Sequence, residues 1–214
     1  MTPEGLQVGA ESSPRFELRS FGQDFDRIHH RMARLSVPVP EDLWERRSEE
    51  IYVVSRASDV FGVKIRGGKL DVKEWVRTVD GFEQWAPRLK VAFPLPAVLL
   101  QEKLFPALQT APPDLPAGGC DLEDFLRRVR SHPELQVVRV KKRRFGYLVH
   151  GTICEYVVVL INGARVVTVG AESTEIPDLH RTLTDTGMAG LENINYLQAI
   201  KRVIGMIDRP LANE

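Results

Sequence analysis

The sequence predicts an α+β fold, with seven or eight mostly antiparallel strands and three or four helices. Alternating apolar and polar residues, typical of half-buried strands, dominate the chain from Glu50 onward. Glycine-containing pairs such as Gly67-Gly68 and Asn162-Gly163 separate several of these runs, as tight hairpin turns require. Apolar residues recur at helical spacing near both ends of the chain. Antiparallel sheets with charge on one face often close into barrels, which leave no exposed edge.

The first half of the chain carries the signals of one helix and several strands. Apolar residues from Phe25 to Leu35 lie at helical spacing, and Pro38 ends that helix. The Gly67-Gly68 pair supplies the positive φ angles of a tight hairpin turn. The predicted elements are a strand at 15–21, a helix at 24–35, and strands at 50–55, 61–66, 69–76 and 89–93.

The second half begins with the least regular part of the chain. Six prolines fall between Pro94 and Gly119, where we expect a short helix near 98–104 and a cover over one end of the sheet. Asp121 is the predicted N-cap of a helix from Leu122 to about Arg130. Two hairpins follow, the first turning at Phe145-Gly146-Tyr147. The predicted strand pairs are 135–144 with 148–159 and 156–161 with 165–171, followed by a last helix at 191–208.

Composition restricts the class of protein. We expect a disordered lead at 1–14, one domain at 15–208 and a tail at 209–214. The 29 basic and 29 acidic residues cancel, which argues against a nucleic-acid binder, and the apolar runs are too short to cross a membrane. Cys120 and Cys154 form neither a disulfide framework nor a CxxC motif, so the cytoplasm is the expected compartment. A homodimer is left open.

Basic residues recur at strand spacing in two regions of the sequence. Such spacing places side chains on one face of a strand, where they could bind the oxygens of a phosphate-rich small molecule. The alternative is a solvated outer face, which is common in antiparallel sheets. The residues concerned are Lys64, Arg66, Lys73, Arg139, Lys141 and Arg143.

Three acids stand on or at the ends of apolar strands: Glu17, Glu155 and Glu172. Carboxylate oxygens are the ligands that Mg²⁺ and Mn²⁺ prefer. Alternatively, each acid pairs with a neighbouring Lys or Arg across the strands.

Several stretches resemble the CYTH superfamily, the triphosphate tunnel metalloenzymes. They are FELRSF at 16–21, FGVKIRGGKLDVKEW at 61–75, VRVKKRRFGY at 138–147, TICEYVVVLINGARVVTVGAES at 152–173 and NYLQAIKRVIG at 195–205. The resemblance implies an eight-stranded antiparallel barrel, or tunnel, flanked by helices. It also implies interior cations that bind a triphosphate and interior carboxylates that bind Mg²⁺ or Mn²⁺.

Carried over by position, the resemblance assigns roles to individual residues. The implied metal ligands are Glu17, Glu155 and Glu172. The implied substrate-binding residues are Arg19, Lys64, Arg66, Lys73, Arg139, Lys141, Arg143 and Lys201, with the register of the 141–144 basic run open by one residue.

Two positions depart from the family pattern. Arg15 stands where the family has the first glutamate of a Glu-x-Glu-x-Lys signature, and Gly170 stands where a second late glutamate is expected. Two functions therefore follow from the resemblance. One is metal-dependent hydrolysis of triphosphates, polyphosphates or organic phosphoanhydrides. The other is non-catalytic binding of a phosphorylated ligand, or a regulatory role, with a degenerate metal site.

Overall fold

The computed structural model describes residues 14–211, so the predicted disordered lead at 1–14 lies outside the described residues except for Pro14. Eight strands form a closed barrel in the order β1-β5-β4-β3-β2-β6-β7-β8. The predicted eight-stranded antiparallel barrel flanked by helices is confirmed. The strands are β1 (Arg15–Gly22), β2 (Arg46–Ser55), β3 (Phe61–Arg66), β4 (Lys69–Val79), β5 (Phe82–Ala92), β6 (Leu135–Val149), β7 (Thr152–Ile161) and β8 (Ala164–Ser173).

α-Helical segments occupy five regions of the described chain. The prediction of a short helix among the prolines is confirmed, since a helical stretch with a central π-helical turn runs there. No helix in residues 14–211 is long and apolar enough to span a membrane. The helices are α1 (Asp26–Leu35), α2 (Ala97–Leu99), a π turn (Leu100–Leu104), α3 (Phe105–Ala107), α4 (Leu122–Ser131), α5 (Ile176–Thr186) and α6 (Tyr196–Val203).

The described residues divide into two compact units. The first unit contains Glu50–Trp75 and Ala86–Arg139, and the second contains 14–49, Val76–Trp85 and 140–211. The single domain expected at 15–208 stays a prediction.

The core of the first unit lies between strands β3 and β4 and the proline-rich stretch. Buried Val63 and Leu70 on the strands pack in one cluster with Leu100, Phe105 and Phe125 from the helices. The side chain of Asp121 accepts a hydrogen bond from the backbone N–H of Asp124, which confirms its predicted role as the N-cap of α4.

The core of the second unit lies between strands β1, β7 and β8 and helices α1 and α5. Leu18 and Val169 on the strands share one buried cluster with Met32 of α1 and Leu179 of α5. Alternate residues of these strands point away from the helices, because successive side chains of a strand face opposite sides. The charged residues of the site lie at those alternate positions.

The predicted turn at Phe145-Gly146-Tyr147 is wrong. Strand β6 continues through these residues to Val149, and the chain turns at His150 and Gly151, which have φ angles of 51° and 76°. A Cβ on Gly146 would lie 3.0 Å from the backbone oxygen of Leu43. Gly146 therefore permits a close approach of backbone within a strand, which sequence alone does not distinguish from a turn.

The predicted last helix at 191–208 is also wrong in its bounds. Helix α6 begins after Asn195, and the backbone N–H of Ile194 donates to the carbonyl oxygen of Arg19 at 2.6 Å. Residues 191–195 are thus held against strand β1 instead of forming the first turns of the helix. Helix α5 (Ile176–Thr186) was not predicted, because its apolar positions are few and it follows β8 directly.

Candidate functional site

The register of strands β1, β7 and β8 brings the predicted metal ligands to one place. Arg19 lies opposite Gly170 across β1 and β8, and Gly170 lies opposite Glu155 across β7 and β8. Glu17 lies opposite Glu172. The four charged residues therefore share one face of three adjacent strands, opposite the face covered by helices α1 and α5.

The guanidinium of Arg19 contacts all three carboxylates, and we call these four residues the Arg19 cluster. Its Nε donates to Oε1 of Glu17, and its Nη2 donates to Oε2 of Glu155 at 3.3 Å. The same Nη2 lies 3.9 Å from Oε1 of Glu172. The side chain of Arg19 is only 4% exposed, so these contacts are screened little by water.

The guanidinium of Arg19 lies where a side chain at position 170 would be. A Cβ on Gly170 would lie 2.7 Å from both Cζ and Nη2 of Arg19, closer than real Cβ contacts. Any residue larger than glycine at position 170 would require the arginine to move.

Burial and charge act in opposite directions on the pKa values of this cluster. Burial alone would lower the pKa of Arg19, but Glu17, Tyr196, Glu155 and Glu172 together hold it well above its usual value. Burial would raise the pKa of Glu155, but the surrounding cations lower it. The charged form of each group is therefore stabilised by the other against the cost of burial.

Three further cations surround Glu155, all within the second unit. Nη2 of Arg46 donates to Oε1 of Glu155 at 3.1 Å. Lys142 and Arg144 on β6 also lower the pKa of Glu155 by their charge. The ammonium of Lys142 lies 3.6 Å from the ring centroid of Tyr196, a cation–π contact that stabilises the buried cation.

The basic run of β6 divides between two faces. Lys142 and Arg144 lie opposite Val159 and Val157 in register, on the face that carries Glu155. Lys141 lies on the other face, 60% exposed, with its Nζ 2.9 Å from Glu49, and Arg143 is 50% exposed and 2.8 Å from Glu45. Arg139 is exposed as well.

The expected register of this run therefore differs from the observed one by one residue. Buried Val138 and Val140 set the alternation, so Lys142 follows them on the enclosed face and the odd-numbered cations meet solvent. The substrate-binding role of Arg139, Lys141 and Arg143 stays a prediction.

The charged face is not uniformly cationic. Val157, Val159 and Ile161 follow Glu155 at alternate positions of β7, and each is at most 1% exposed. Beyond Glu155, this face of β7 is therefore apolar, and the expectation of interior cations that bind a triphosphate stays a prediction.

The first unit contains a second group of predicted cations. Lys64 Nζ lies 3.8 Å from both Glu50 and Asp71, and Arg66 Nη1 lies 3.6 Å from Glu50. The carboxylate of Glu50 is fully buried and accepts a hydrogen bond from the hydroxyl of Tyr52. Burial lowers the pKa of Lys64 despite the acids beside it. These cations are therefore largely neutralised by acids of their own unit.

The two remaining predicted residues of the site differ in exposure. Lys73 is exposed on β4, and Lys201 of α6 is only 3% exposed. Sequence reasoning missed Arg46, Glu50, Lys142, Arg144 and Tyr196. Arg46 and Glu50 lie in strand β2, whose predicted start came four residues too late, so no face could be assigned to Arg46.

A divalent metal ion does not fit the Arg19 cluster as it stands. Mg²⁺ and Mn²⁺ require carboxylate oxygens that are free to coordinate. Here the three implied ligands surround a guanidinium, which is a permanent cation. Within residues 14–211, no three His, Cys, Asp or Glu side chains form a group that could hold a metal. The expected Mg²⁺ or Mn²⁺ stays a prediction that this arrangement does not favour.

Comparison with known proteins gives a structural likeness. No protein-family model matches the chain, and no curated protein matches it significantly. The Hippeastrum protein HpAC1, for which a dominant triphosphatase activity is described, is 13% identical with a TM-score of 0.47, over 88% of this chain and 96% of its own. The PH1012 protein of Pyrococcus horikoshii is 15% identical with a TM-score of 0.48, over 87% and 99%.

A third solved structure, the Mimivirus capping enzyme triphosphatase, is 11% identical with a TM-score of 0.40, over 81% of this chain and 89% of its own. At these identities and TM-scores, the likeness supports no conclusion about the activity of this chain.

Proposed function

We propose that this chain binds a phosphate-rich small molecule of the triphosphate or polyphosphate class through the cations around Glu155, as a divergent relative of the triphosphate tunnel proteins. The observation that carries the proposal is the convergence of cations on this carboxylate: Arg19 and Arg46 donate hydrogen bonds to Glu155, and Lys142 and Arg144 lie on the same face of the barrel and lower its pKa. Arginine matches phosphate oxygens with paired, charge-assisted hydrogen bonds, so several guanidinium groups that converge on one place favour a ligand rich in phosphate.

The cluster is open to solvent on one side, which gives an anion access. Arg46 is 43% exposed and Arg15, which lies 3.9 Å from Glu172, is 45% exposed, whereas Arg19 is buried. A phosphate group arriving from solvent would meet Arg46 and Arg15 first. The buried cations would then add to the favourable potential.

Of the two functions that the resemblance implies, we favour binding over hydrolysis. Metal-dependent hydrolysis of a phosphoanhydride needs carboxylates that hold the ion, and here those carboxylates hold Arg19. Hydrolysis stays a prediction. Incubation with tripolyphosphate, ATP or thiamine triphosphate plus Mg²⁺ or Mn²⁺ tests it, and phosphate release that a Glu155→Gln, Glu172→Gln variant lacks would establish it over our proposal.

Calorimetry with tripolyphosphate in the presence of EDTA tests binding directly. We expect saturable binding that weakens as salt rises, because the contacts are electrostatic. An Arg46→Gln, Arg144→Gln variant should bind at least about tenfold more weakly, since each lost charge-assisted hydrogen bond is worth about 1.5–3 kcal/mol.

The matched control is Lys141→Gln, Arg143→Gln, which removes two cations from the opposite face of strand β6. This control should bind as the unaltered chain does. Equal loss in both variants would indicate a nonspecific charge effect, and no binding by the unaltered chain would overturn the proposal.

A further inference from the structure

The three carboxylates that would hold a metal ion hold a side chain of the protein instead. Arg19 reaches Glu17 through Nε, and Glu155 and Glu172 through Nη2. The guanidinium hydrogen bonds occupy Oε1 of Glu17 and Oε2 of Glu155, so an ion coordinated by those two oxygens would compete with Arg19 for them. A divalent ion placed among them would also face the full charge of a buried arginine, which does not lose its proton.

The space for this arrangement depends on Gly170. A Cβ on Gly170 would lie 2.7 Å from both Cζ and Nη2 of Arg19 and 3.0 Å from Nη1. The arginine is 4% exposed and hydrogen-bonded to Glu17 and Glu155, so moving its guanidinium aside would break these contacts. A glutamate at position 170 is therefore incompatible with the observed position of Arg19. The glycine and the arginine depend on each other.

The guanidinium also keeps a hydrogen-bond donor unused. Nη1 of Arg19 is buried and has no hydrogen-bond partner among residues 14–211. A buried donor of a charged group is costly to leave unsatisfied, and an anionic oxygen or a water satisfies it. The cation of this site thus has capacity for one more acceptor.

We propose that Arg19, admitted by Gly170, has replaced the divalent ion as the resident cation of this site. Recognition of phosphate here then requires no metal, and the unaltered chain has no Mg²⁺ or Mn²⁺ site among Glu17, Glu155 and Glu172. The statement on phosphate rests on the proposed function, but the statement on metal does not.

Titration of the full chain with Mn²⁺, followed by the electron paramagnetic resonance signal of the free ion, tests the replacement without any phosphate ligand. The unaltered chain and a Glu155→Gln, Glu172→Gln variant should bind Mn²⁺ equally weakly. Tighter binding by the unaltered chain than by this variant would overturn the inference, because it would place an ion among these carboxylates beside Arg19.

Removing Arg19 and restoring an acid at position 170 should create a Mn²⁺ site. An Arg19→Ser, Gly170→Glu variant frees three carboxylates and adds a fourth, so it should bind Mn²⁺ roughly tenfold more tightly or better, since affinity follows ligand charge and count. Adding Glu155→Gln should remove the gain. A folded double variant, verified by circular dichroism, that binds no better than the unaltered chain would contradict the inference.

If the Arg19→Ser, Gly170→Glu variant does not fold, the inference is still tested by comparing Mn²⁺ binding of the unaltered chain with that of the Glu155→Gln, Glu172→Gln variant. Failure of tripolyphosphate binding in EDTA, with the Mn²⁺ results as expected, would reject the proposed ligand and leave the replacement of metal by Arg19 standing.

Discussion

At the scale of single residues, Arg19 and Gly170 determine the chemistry of the site together. The arginine contributes a fixed charge, and the glycine contributes the absence of a side chain where that charge lies. Either residue alone would be unremarkable in a sequence. Their contact across β1 and β8 places a guanidinium among three converging acids, which form an ion-pair network with it.

We expect Gly170→Ala to lower the free energy of unfolding by about 1–3 kcal/mol, the usual cost of overpacking a buried site. The cost should largely disappear when Gly170→Ala is introduced into an Arg19→Ala chain, because the atoms that the new Cβ meets are then gone. Urea unfolding of the four chains measures this coupling. Additive effects of the two substitutions would contradict the contact.

The lowered pKa of Glu155 predicts a specific response to acid. In the unfolded chain, Glu155 takes up a proton near pH 4.3. In the folded chain, the cations around Glu155 lower its pKa, so that protonation requires a lower pH. The contribution of Glu155 to the free energy of unfolding is therefore complete above about pH 4.3 and is lost as the pH falls through the pKa of the folded state.

Glu155→Gln should consequently destabilise the chain at neutral pH, by roughly 3 kcal/mol as for a broken buried pair. The difference from the unaltered chain should shrink below about pH 4.3. Denaturant unfolding at a series of pH values measures it. A difference that does not vary with pH would show that packing, and not charge, underlies the effect.

At the scale of elements, helix α6 is tied to the Arg19 cluster at its first turn. Asn195 caps the helix by accepting from the backbone N–H of Gln198, and the same side chain donates to Glu83. Tyr196 then contacts Lys142 and the guanidinium of Arg19 through its ring. The first turn of the helix therefore lies against two of the buried cations.

Asn195→Ala should lower the free energy of unfolding by about 1 kcal/mol, the common cost of losing an N-cap. Asn195→Ser keeps a capping oxygen but loses the amide that reaches Glu83. Serine should therefore recover most of the loss in a thermal or urea unfolding experiment. Equal effects of alanine and serine would attribute the stability to the Glu83 contact instead.

The elements of this chain differ in how far sequence determines them. Asn162-Gly163 and Asp121 confine their effects to neighbouring residues, so the turn and the cap were predicted correctly. Gly146 and Ile194 were misread because distant backbone decides their conformation: Leu43 approaches the glycine, and the carbonyl of Arg19 binds the N–H of Ile194. Local pattern contains no information on such contacts.

The prediction of the site was limited in the same way, by contacts between residues that are distant in sequence. The three acids were identified from the resemblance, and the strand register brings them together. That Arg19 would lie among them, and not beside them as a phosphate-binding residue, depends on distances of a few ångströms across three strands. The face of the 141–144 basic run depended on a one-residue register that four consecutive cations cannot reveal.

At the scale of the whole molecule, ligand binding without metal should appear as thermal stabilisation. At a ligand concentration of about 100 times Kd, linkage contributes about 2.7 kcal/mol. For a chain of 214 residues this corresponds to a rise in Tm of roughly 5–10 °C.

Thermal unfolding with tripolyphosphate in EDTA measures this rise, and added salt should diminish it. Sulfate at the same ionic strength serves as the control for nonspecific anion effects. A rise in Tm that requires Mg²⁺ would contradict metal-free recognition.

The position of Arg19 early in the chain has a consequence for biosynthesis. Its partners Glu155 and Glu172 are translated much later, the second one 172 − 19 = 153 residues afterwards. At 5–20 residues per second, the ribosome needs about 8–30 s to supply them. Until then the guanidinium of nascent strand β1 lacks two of its three acidic partners, so we expect the pairing of β1 with β8 to form only after Glu172 has been synthesised.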